Sequence, residues 1–297
     1  MRIHHRLMIG LSIWIVVLSI CTDALTVIAI PIDDEENLLQ VHFINVGQGD
    51  SMLIETPEGK NILIDGGPPA AGDKVVNYLK QQDITTLDLV IATHPDIDHI
   101  GGLVEVIKQV EVKNIVDSGK LHHTLTYFEY LKQIKQQKIP TTIARESGEK
   151  EIEPELSLQV LNDYGIFKGN NESSIAIQLS YKEIDFLLMS DVETKQEMEM
   201  IKKYDLESEI FKVAHHGSDT STSEKLLEEV RPEKAILSYS VENDYGHPVG
   251  ATVDKLLEAG ATIYSTARSG DIVIGTDGYN YRVEISGKDR IIQHRFG

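Results

Sequence analysis

Apolar residues in this chain fall into short runs divided by polar turns, and the runs come in two kinds. Leu39 to Val46, Met52 to Glu55 and Asn61 to Ile64 read as strands, the last two joined by the turn Pro57-Glu58-Gly59. Leu87 to Ala92, Leu156 to Asn162, Ile175 to Tyr181, Ile184 to Met189, Ile210 to Ala214 and Ala235 to Tyr239 are apolar over much of their length. All read as strands, and the nearly continuous runs Leu87 to Ala92 and Ile210 to Ala214 suit strands covered on both faces. Helical spacing predicts helices over Asp73 to Gln82, Ile100 to Val110, Lys195 to Lys203, Glu224 to Val230 and Ala251 to Ala259, and another carrying Tyr127, Tyr130, Leu131 and Ile134. Glu146 to Glu155 reads as a charged surface loop. Hairpins and buried strands alternating with helices predict an α/β fold of two sheets packed face to face, with helices outside.

The first 32 residues follow a different pattern. Arg2, His4, His5 and Arg6 precede Leu7 to Cys21, fifteen residues without a charge. The run is short for a spanning helix and suits a signal-peptide core, with small residues after it. The competing reading is an uncleaved anchor over Leu7 to Ile32 that tolerates Asp23. The expected organisation is therefore a signal peptide or membrane anchor over 1–32 and one large domain over 33–297. That domain is expected to be secreted or at the extracellular face of the membrane, touching the membrane only through the N-terminal segment.

Composition narrows the chemistry. A single cysteine, Cys21, excludes an internal disulfide and a cysteine-based zinc cluster, so any metal ligands come from the 11 histidines and 47 acids. The net charge of −19 argues against strong non-specific affinity for nucleic acid, because no excess of Lys and Arg is available to neutralise phosphates. Bound metal ions would supply local positive charge even so.

The most informative stretch is Leu87 to Gly102, LDLVIATHPDIDHIGG. A buried strand opens into Thr93-His94-Pro95-Asp96-Ile97-Asp98-His99, placing two imidazoles and two carboxylates within six residues. Capping the next helix would need one acid only, whereas a metal site uses the whole set. Asp191 ends the apolar strand Ile184 to Met189, though it also stands where it would cap a helix starting near Glu193. His215 and His216 end the Ile210 strand. Side chains alternate along a strand, so one of the two is expected to ligate. His42, His122, His123 and His294 lie in no motif.

These segments resemble the metallo-β-lactamase superfamily, whose usual loop is His-x-His-x-Asp-His, and within it the hydrolase-like domain of the ComEC competence proteins. Gly47-Gln48-Gly49-Asp50-Ser51, Ile64-Asp65-Gly66-Gly67, His94 to His99, Asn171 to Ser174, His215 to Ser218 and Tyr245 to Pro248 occur in the order of that branch. The resemblance runs from about Leu39 to about Ile274 and implies a four-layer αββα sandwich, with the site along one edge where strand ends meet. It implies two divalent ions, zinc or manganese. His94 and Asp96 would hold the first, Asp98 and His99 the second, and Asp191 both. His215 is favoured by family position to complete the second, with His216 as the alternative.

Three positions depart from the wider pattern. Asp96 replaces a histidine, Asn171 stands near a third histidine, and Ser190 replaces the usual glycine. Asn171 is a candidate for metal, water or substrate, and Asn170-Asn171-Glu172 is equally a good turn. The family counterpart of Asp65 supports the metal loop by hydrogen bonding. His247 is a candidate for substrate contact or loop support, and Asp50 for approach to the site from the first turn. Oxygen donors in place of nitrogen favour Mn²⁺ or Mg²⁺ relatively, with Zn²⁺ still admitted. The expected function is a metal-dependent, ComEC-like phosphodiesterase or nuclease using a metal-bound hydroxide, with Asp98, Asp191 and His247 as catalytic candidates and DNA among the substrates. The alternatives are hydrolysis of another surface ester, such as phosphorylcholine or a wall polymer, and a non-catalytic, metal-stabilised binding module of an uptake or envelope complex. Oligomeric state is left open.

Overall fold

Alternation along the strands determines the layering. Ile62 and Ile64 face one apolar layer together with Ile91, while Leu63 and Val90 face another. In Ile184–Leu188, Phe186 and Leu188 join that first layer and Leu187 turns into a third. A strand whose two faces both meet apolar layers has no use for polar alternation, and this is why the runs in the sequence are nearly continuous. The computed structural model describes residues 38–146, 150–163 and 169–287. The expected leader over 1–32, and His294, lie outside the described residues.

The first sheet runs, edge to edge, Tyr281–Ile285, Ile272–Thr276, Leu39–Phe43, Met52–Glu55, Asn61–Ile64, Leu89–Ala92, Ile115–Asp117 and Thr141–Ile143. The second runs Thr262–Ser265, Lys234–Leu237, Ile210–Lys212, Ile184–Leu188, Ala176–Tyr181, Leu156–Asn162 and Lys150–Glu153. One apolar layer lies between the sheets. Outside the first sheet pack Gly72–Gln81 through Val75, Val76 and Leu79, Leu103–Gln109 through Val106 and Ile107, and Leu125–Gln137 through Tyr127 and Tyr130. Glu224–Val230 and Gly250–Glu258 cover the second through Leu226, Val230, Val253 and Leu256. The result is the expected αββα sandwich.

Strand direction positions the site. Asn61–Ile64, Leu89–Ala92 and Ile115–Asp117 are parallel neighbours in the first sheet, as are Ile184–Leu188, Ile210–Lys212 and Lys234–Leu237 in the second. The polar motifs follow the carboxyl ends of these strands, where α/β sheets usually gather their ligands.

Some element bounds differ from expectation. The Leu87 run is two strands: Thr86–Leu87 pairs with Glu111–Val112 in a separate ribbon, and Leu89–Ala92 enters the main sheet. The expected helix Ile100 to Val110 is a turn, Ile97–Ile100, followed by Leu103–Gln109. The break at Gly102 is a close backbone crossing. A Cβ there would lie 1.9 Å from the carbonyl oxygen of Gly66. No helix among the described residues is long and apolar enough to cross a membrane.

Candidate metal centre

Asp65 anchors the centre. It follows the strand Asn61–Ile64 with a positive φ of 58°, and its carboxylate is buried. Oδ1 accepts from the Thr93 amide at 2.9 Å, and Oδ2 accepts from the Thr93 hydroxyl at 2.6 Å and pairs with His99 Nδ1 at 2.8 Å. One buried carboxylate thus fixes both the start of the loop and the ring at its end. Its bond to Nδ1 leaves His99 Nε2 to face inward. The neighbouring turns lock onto this loop through the backbone, with Gly66 N donating to His99 O at 2.7 Å and Asp50 N to Asp98 O at 3.2 Å. Gly49 has a φ of 131°, and a Cβ there would lie 2.1 Å from the Asp98 carbonyl oxygen, so only glycine fits this turn.

Asp191 is the hub. Its Oδ2 lies 3.8 Å from His94 Nε2, 3.4 Å from His99 Nε2, 3.8 Å from His215 Nε2 and 3.6 Å from His216 Nε2. It is not a helix cap: Glu193 caps Thr194–Met200, in a reciprocal pair with Gln196. Ser190 before it has a φ of 48°, a left-handed position that suits glycine, and its hydroxyl donates to Thr93 Oγ1 at 2.8 Å. A serine here therefore bridges the two strand ends.

His215 and His216 do not alternate as at a strand end. Both have left-handed backbones, with φ of 47° and 55°, and both rings turn toward Asp191. His216 is buried, its Nδ1 bonds the Ser238 carbonyl at 2.8 Å, and its Nε2 lies 3.4 Å from Asp98 Oδ2. His215 lies on the other side, its Nε2 3.3 Å from Asn171 Nδ2 and its Nδ1 3.1 Å from Thr220 Oγ1. Asp96 lies 3.5 Å from His94 Nε2, and its Oδ1 accepts from Asn170 Nδ2. Asn171 opens a short 3-10 turn, Asn171–Ser173. His247 sits at the rim, its ring centroid 5.4 Å from that of His215.

Two residues at the centre went unremarked in the sequence. Lys212 is fully buried, and its ammonium donates to Asp50 Oδ2 at 2.9 Å and to the Val213 carbonyl at 3.1 Å. A lone lysine in the apolar run Ile210 to Ala214 was the available signal. Thr93 joins Asp65, His94 and Ser190 through one hydroxyl.

The donor set fits metal ions. Among the described residues, His94 Nε2, His99 Nε2, His216 Nε2, Asp191 Oδ1 and Asp50 Oδ1 are buried with no hydrogen-bond partner. Buried polar atoms without partners are rare, and five gathered at one centre call for a cation. His94, His99 and Asp191 form one group with the spacing of a metal site, Asp98, His99 and His216 a second, and Asp50, Asp191 and His216 a third.

The charges agree. Burial opposes ionisation of Asp191, yet His99, His216 and His94 hold its pKa well below the ordinary carboxylate value. Burial likewise works against a charged His99, but Asp191 and Asp65 hold its pKa well above the ordinary imidazole value. Asp98 is lowered to about 2, His216 and His99 outweighing the effect of burial. Carboxylates this insistent on their charge suit divalent ions.

An αββα sandwich with histidines and carboxylates gathered at one edge defines a class, and the family model of the metallo-β-lactamase superfamily matches residues 44–241. The chain belongs to that superfamily. Its similarity is to competence proteins. It is 27% identical over 252 residues to ComE operon protein 3 of Bacillus subtilis (strain 168), covering 78% of this chain and 32% of that protein. It is 28% identical over 239 residues to Recombination protein 2 of Haemophilus influenzae, covering 78% and 28%, and 27% identical to Competence protein ComA of Neisseria gonorrhoeae, covering 81% and 33%. The chain thus spans about a third of the length of these relatives. Solved structures share the fold. The metallo-β-lactamase fold protein YhfI of Bacillus subtilis matches with a TM-score of 0.54 at 13% identity, covering 80% of this chain and 100% of that one. CmlA, a diiron β-hydroxylase from Streptomyces venezuelae, matches at 0.50 and 12% identity, covering 77% and 52%. Family and donor set together make the chain a metal-dependent hydrolase of this fold.

Proposed function

We propose that the chain hydrolyses phosphodiester bonds, as a nuclease or phosphodiesterase acting outside the cytoplasm. The observation that carries this reading is the Asp191 carboxylate, placed within 3.8 Å of four inward-facing imidazoles. A carboxylate common to two donor groups suits two ions rather than one. His94, Asp96 and Asn171 would hold the first, Asp98, His99 and His216 the second, and Asp191 both, with His215 beside Asn171 at the first. Two divalent ions, Zn²⁺ or Mn²⁺, would polarise a phosphoryl oxygen and activate water, the chemistry suited to in-line displacement at phosphorus.

The protein's own residues then have distinct tasks. Asp65 holds Thr93 and His99 in place, and Ser190 ties Thr93 to the strand bearing Asp191. Burial and the neighbouring His215 and His216 push the His247 pKa below its ordinary value. A neutral imidazole packed beside His215 at the rim suits contact with a phosphoryl or leaving-group oxygen.

The names of the similar competence and recombination proteins support nucleic acid as substrate. The acidity of the chain implies that binding energy comes from the centre itself, so the dependence on salt should be shallow. Residues 1–32 are the proposed leader or anchor. An intact mass that retains Met1 would leave only the anchor.

The test is elemental analysis of the purified chain alongside turnover of oligonucleotides and bis-p-nitrophenyl phosphate with Mn²⁺, Zn²⁺ and Mg²⁺. Cleavage restricted to p-nitrophenylphosphorylcholine would move the activity to another surface ester. Bound metal without turnover of any ester would leave a binding module.

A further inference from the structure

The segment between Ser238 and Val249 flanks the centre, because Ser238 takes the hydrogen bond from His216 and His247 packs against His215. It is held unusually firmly for a loop. Asn243 Nδ2 donates to the carbonyls of Ser240 and His247, both at 2.7 Å, and its Oδ1 accepts from the amides of Tyr245 and His247, both at 3.1 Å. Ser240 N donates to Gln48 Oε1 at 3.2 Å, tying the loop to the first glycine turn.

On this fixed loop Tyr245 is 68% exposed. Its ring lies 5.8 Å from that of His247 with the planes 25° apart, and the His247 ring lies 5.4 Å from His215. Aromatic rings therefore step outward from the hub in the order His215, His247, Tyr245. A single exposed ring is ordinary on a protein surface. The backbone that carries this one is held in place, and its ring is nearly parallel to the ring between it and the centre. The cost of ordering the loop is met before any ligand arrives, and the ring presents a π-face.

We propose that Tyr245 is a stacking platform for the nucleobase next to the bond that is cut, which makes single-stranded nucleic acid the substrate class of this site. The inference rests on the phosphodiesterase reading above. The charge balance favours it. At −19 the chain has no overall excess of Lys and Arg to grip a duplex backbone, which favours affinity drawn from groups that bases offer. In a duplex those faces are already stacked, whereas in a single strand they are available.

The experiment uses the full chain loaded with Mn²⁺ or Zn²⁺ and single-stranded oligonucleotides, with and without an abasic residue beside the cleaved bond. Tyr245→Ala should raise KM on the complete strand about 5- to 150-fold, the range for losing one base–aromatic stack. Tyr245→Phe should keep the parent KM. On the abasic strand, parent and Tyr245→Ala should converge, which damage to the fold would not produce. Melting temperature and metal content confirm that the Tyr245→Ala chain is intact. An unchanged KM in Tyr245→Ala overturns the proposal, and so does an equal loss on the abasic strand. An effect confined to p-nitrophenylphosphorylcholine also overturns it, placing a quaternary ammonium on the ring instead. If the parent cuts no nucleic acid, the phosphodiesterase reading fails and this inference with it. Cleavage that is indifferent to Tyr245 defeats this inference alone.

Discussion

Replacing Lys212 by methionine isolates a fully buried ion pair. Lys212 and Asp50 are both fully buried and 2.9 Å apart, with Asp50 Oδ1 left free of hydrogen bonds beside His216. Lys212→Met keeps most of the packing volume and strands the carboxylate. Breaking a buried pair from one side costs about 3–5 kcal/mol, because the remaining charge is desolvated without a partner.

The pH dependence follows from the shift at Asp50. Burial raises its pKa, and Lys212, His216 and His99 together bring it below the ordinary value. A carboxylate depressed in this way contributes stability above its unfolded pKa and loses it as pH falls through the folded pKa. Without Lys212 the effect of burial gains weight and the folded pKa rises. The charged form then costs stability at neutral pH, and acidification relieves that cost. The deficit of Lys212→Met should therefore be larger at pH 7.5 than at pH 5. Urea unfolding of the chelator-treated chain at both pH values measures it. The double variant Lys212→Met, Asp50→Val should recover most of the loss, since replacing both members of a buried pair with apolar groups is often neutral. A single-variant deficit under about 1 kcal/mol, or a double variant whose losses simply add, would mean that Lys212 and Asp50 do not stabilise the fold as a pair.

Asp65→Ala should lower metal affinity or turnover about 10- to 100-fold by freeing Thr93 and His99, as read by metal titration. His122→Ala serves as its control, because His122 lies in no motif, bonds Thr124 and packs against Tyr127, and should leave both quantities unchanged. Asp96→His replaces an oxygen donor with nitrogen and should move the activity ratio from Mn²⁺ toward Zn²⁺; an unchanged ratio in a folded variant would count against Asp96 as a ligand. Chelation should lower the melting temperature. A chain at 100 times its metal Kd gains about 2.7 kcal/mol from binding, and no shift would mean that the buried donors hold no ion.

The fold was readable because αββα layering writes itself into the strands as continuous apolar runs, and the polar motifs interrupt those runs where the parallel strands end. His94, Asp98, His99 and Asp191 stand out for that reason. The relation between His215 and His216 was not readable, since strand alternation assumes extended backbone and both residues are left-handed. Asp50 looked like glycine-turn chemistry until Lys212, 162 residues away in the chain, was seen to reach it. Asn170 was likewise a turn residue until its amide met Asp96 across 74 positions. Contacts of that separation depend on the closing of two sheets, which no local window contains. The split of the Leu87 run falls at Asp88, whose amide donates to the Asn61 carbonyl and whose Oδ2 accepts from the Asn61 amide.

If Asp191 serves two ions that together drive hydrolysis, Asp191→Asn should remove metal and turnover together. Metal content by elemental analysis and turnover of bis-p-nitrophenyl phosphate and oligonucleotides would be measured on the same preparations of parent and variant. We expect about two divalent ions per parent chain, fewer in the variant, and turnover abolished while the circular dichroism spectrum is kept. Full turnover in Asp191→Asn, or one ion per chain in a fully active parent, would contradict a two-ion centre.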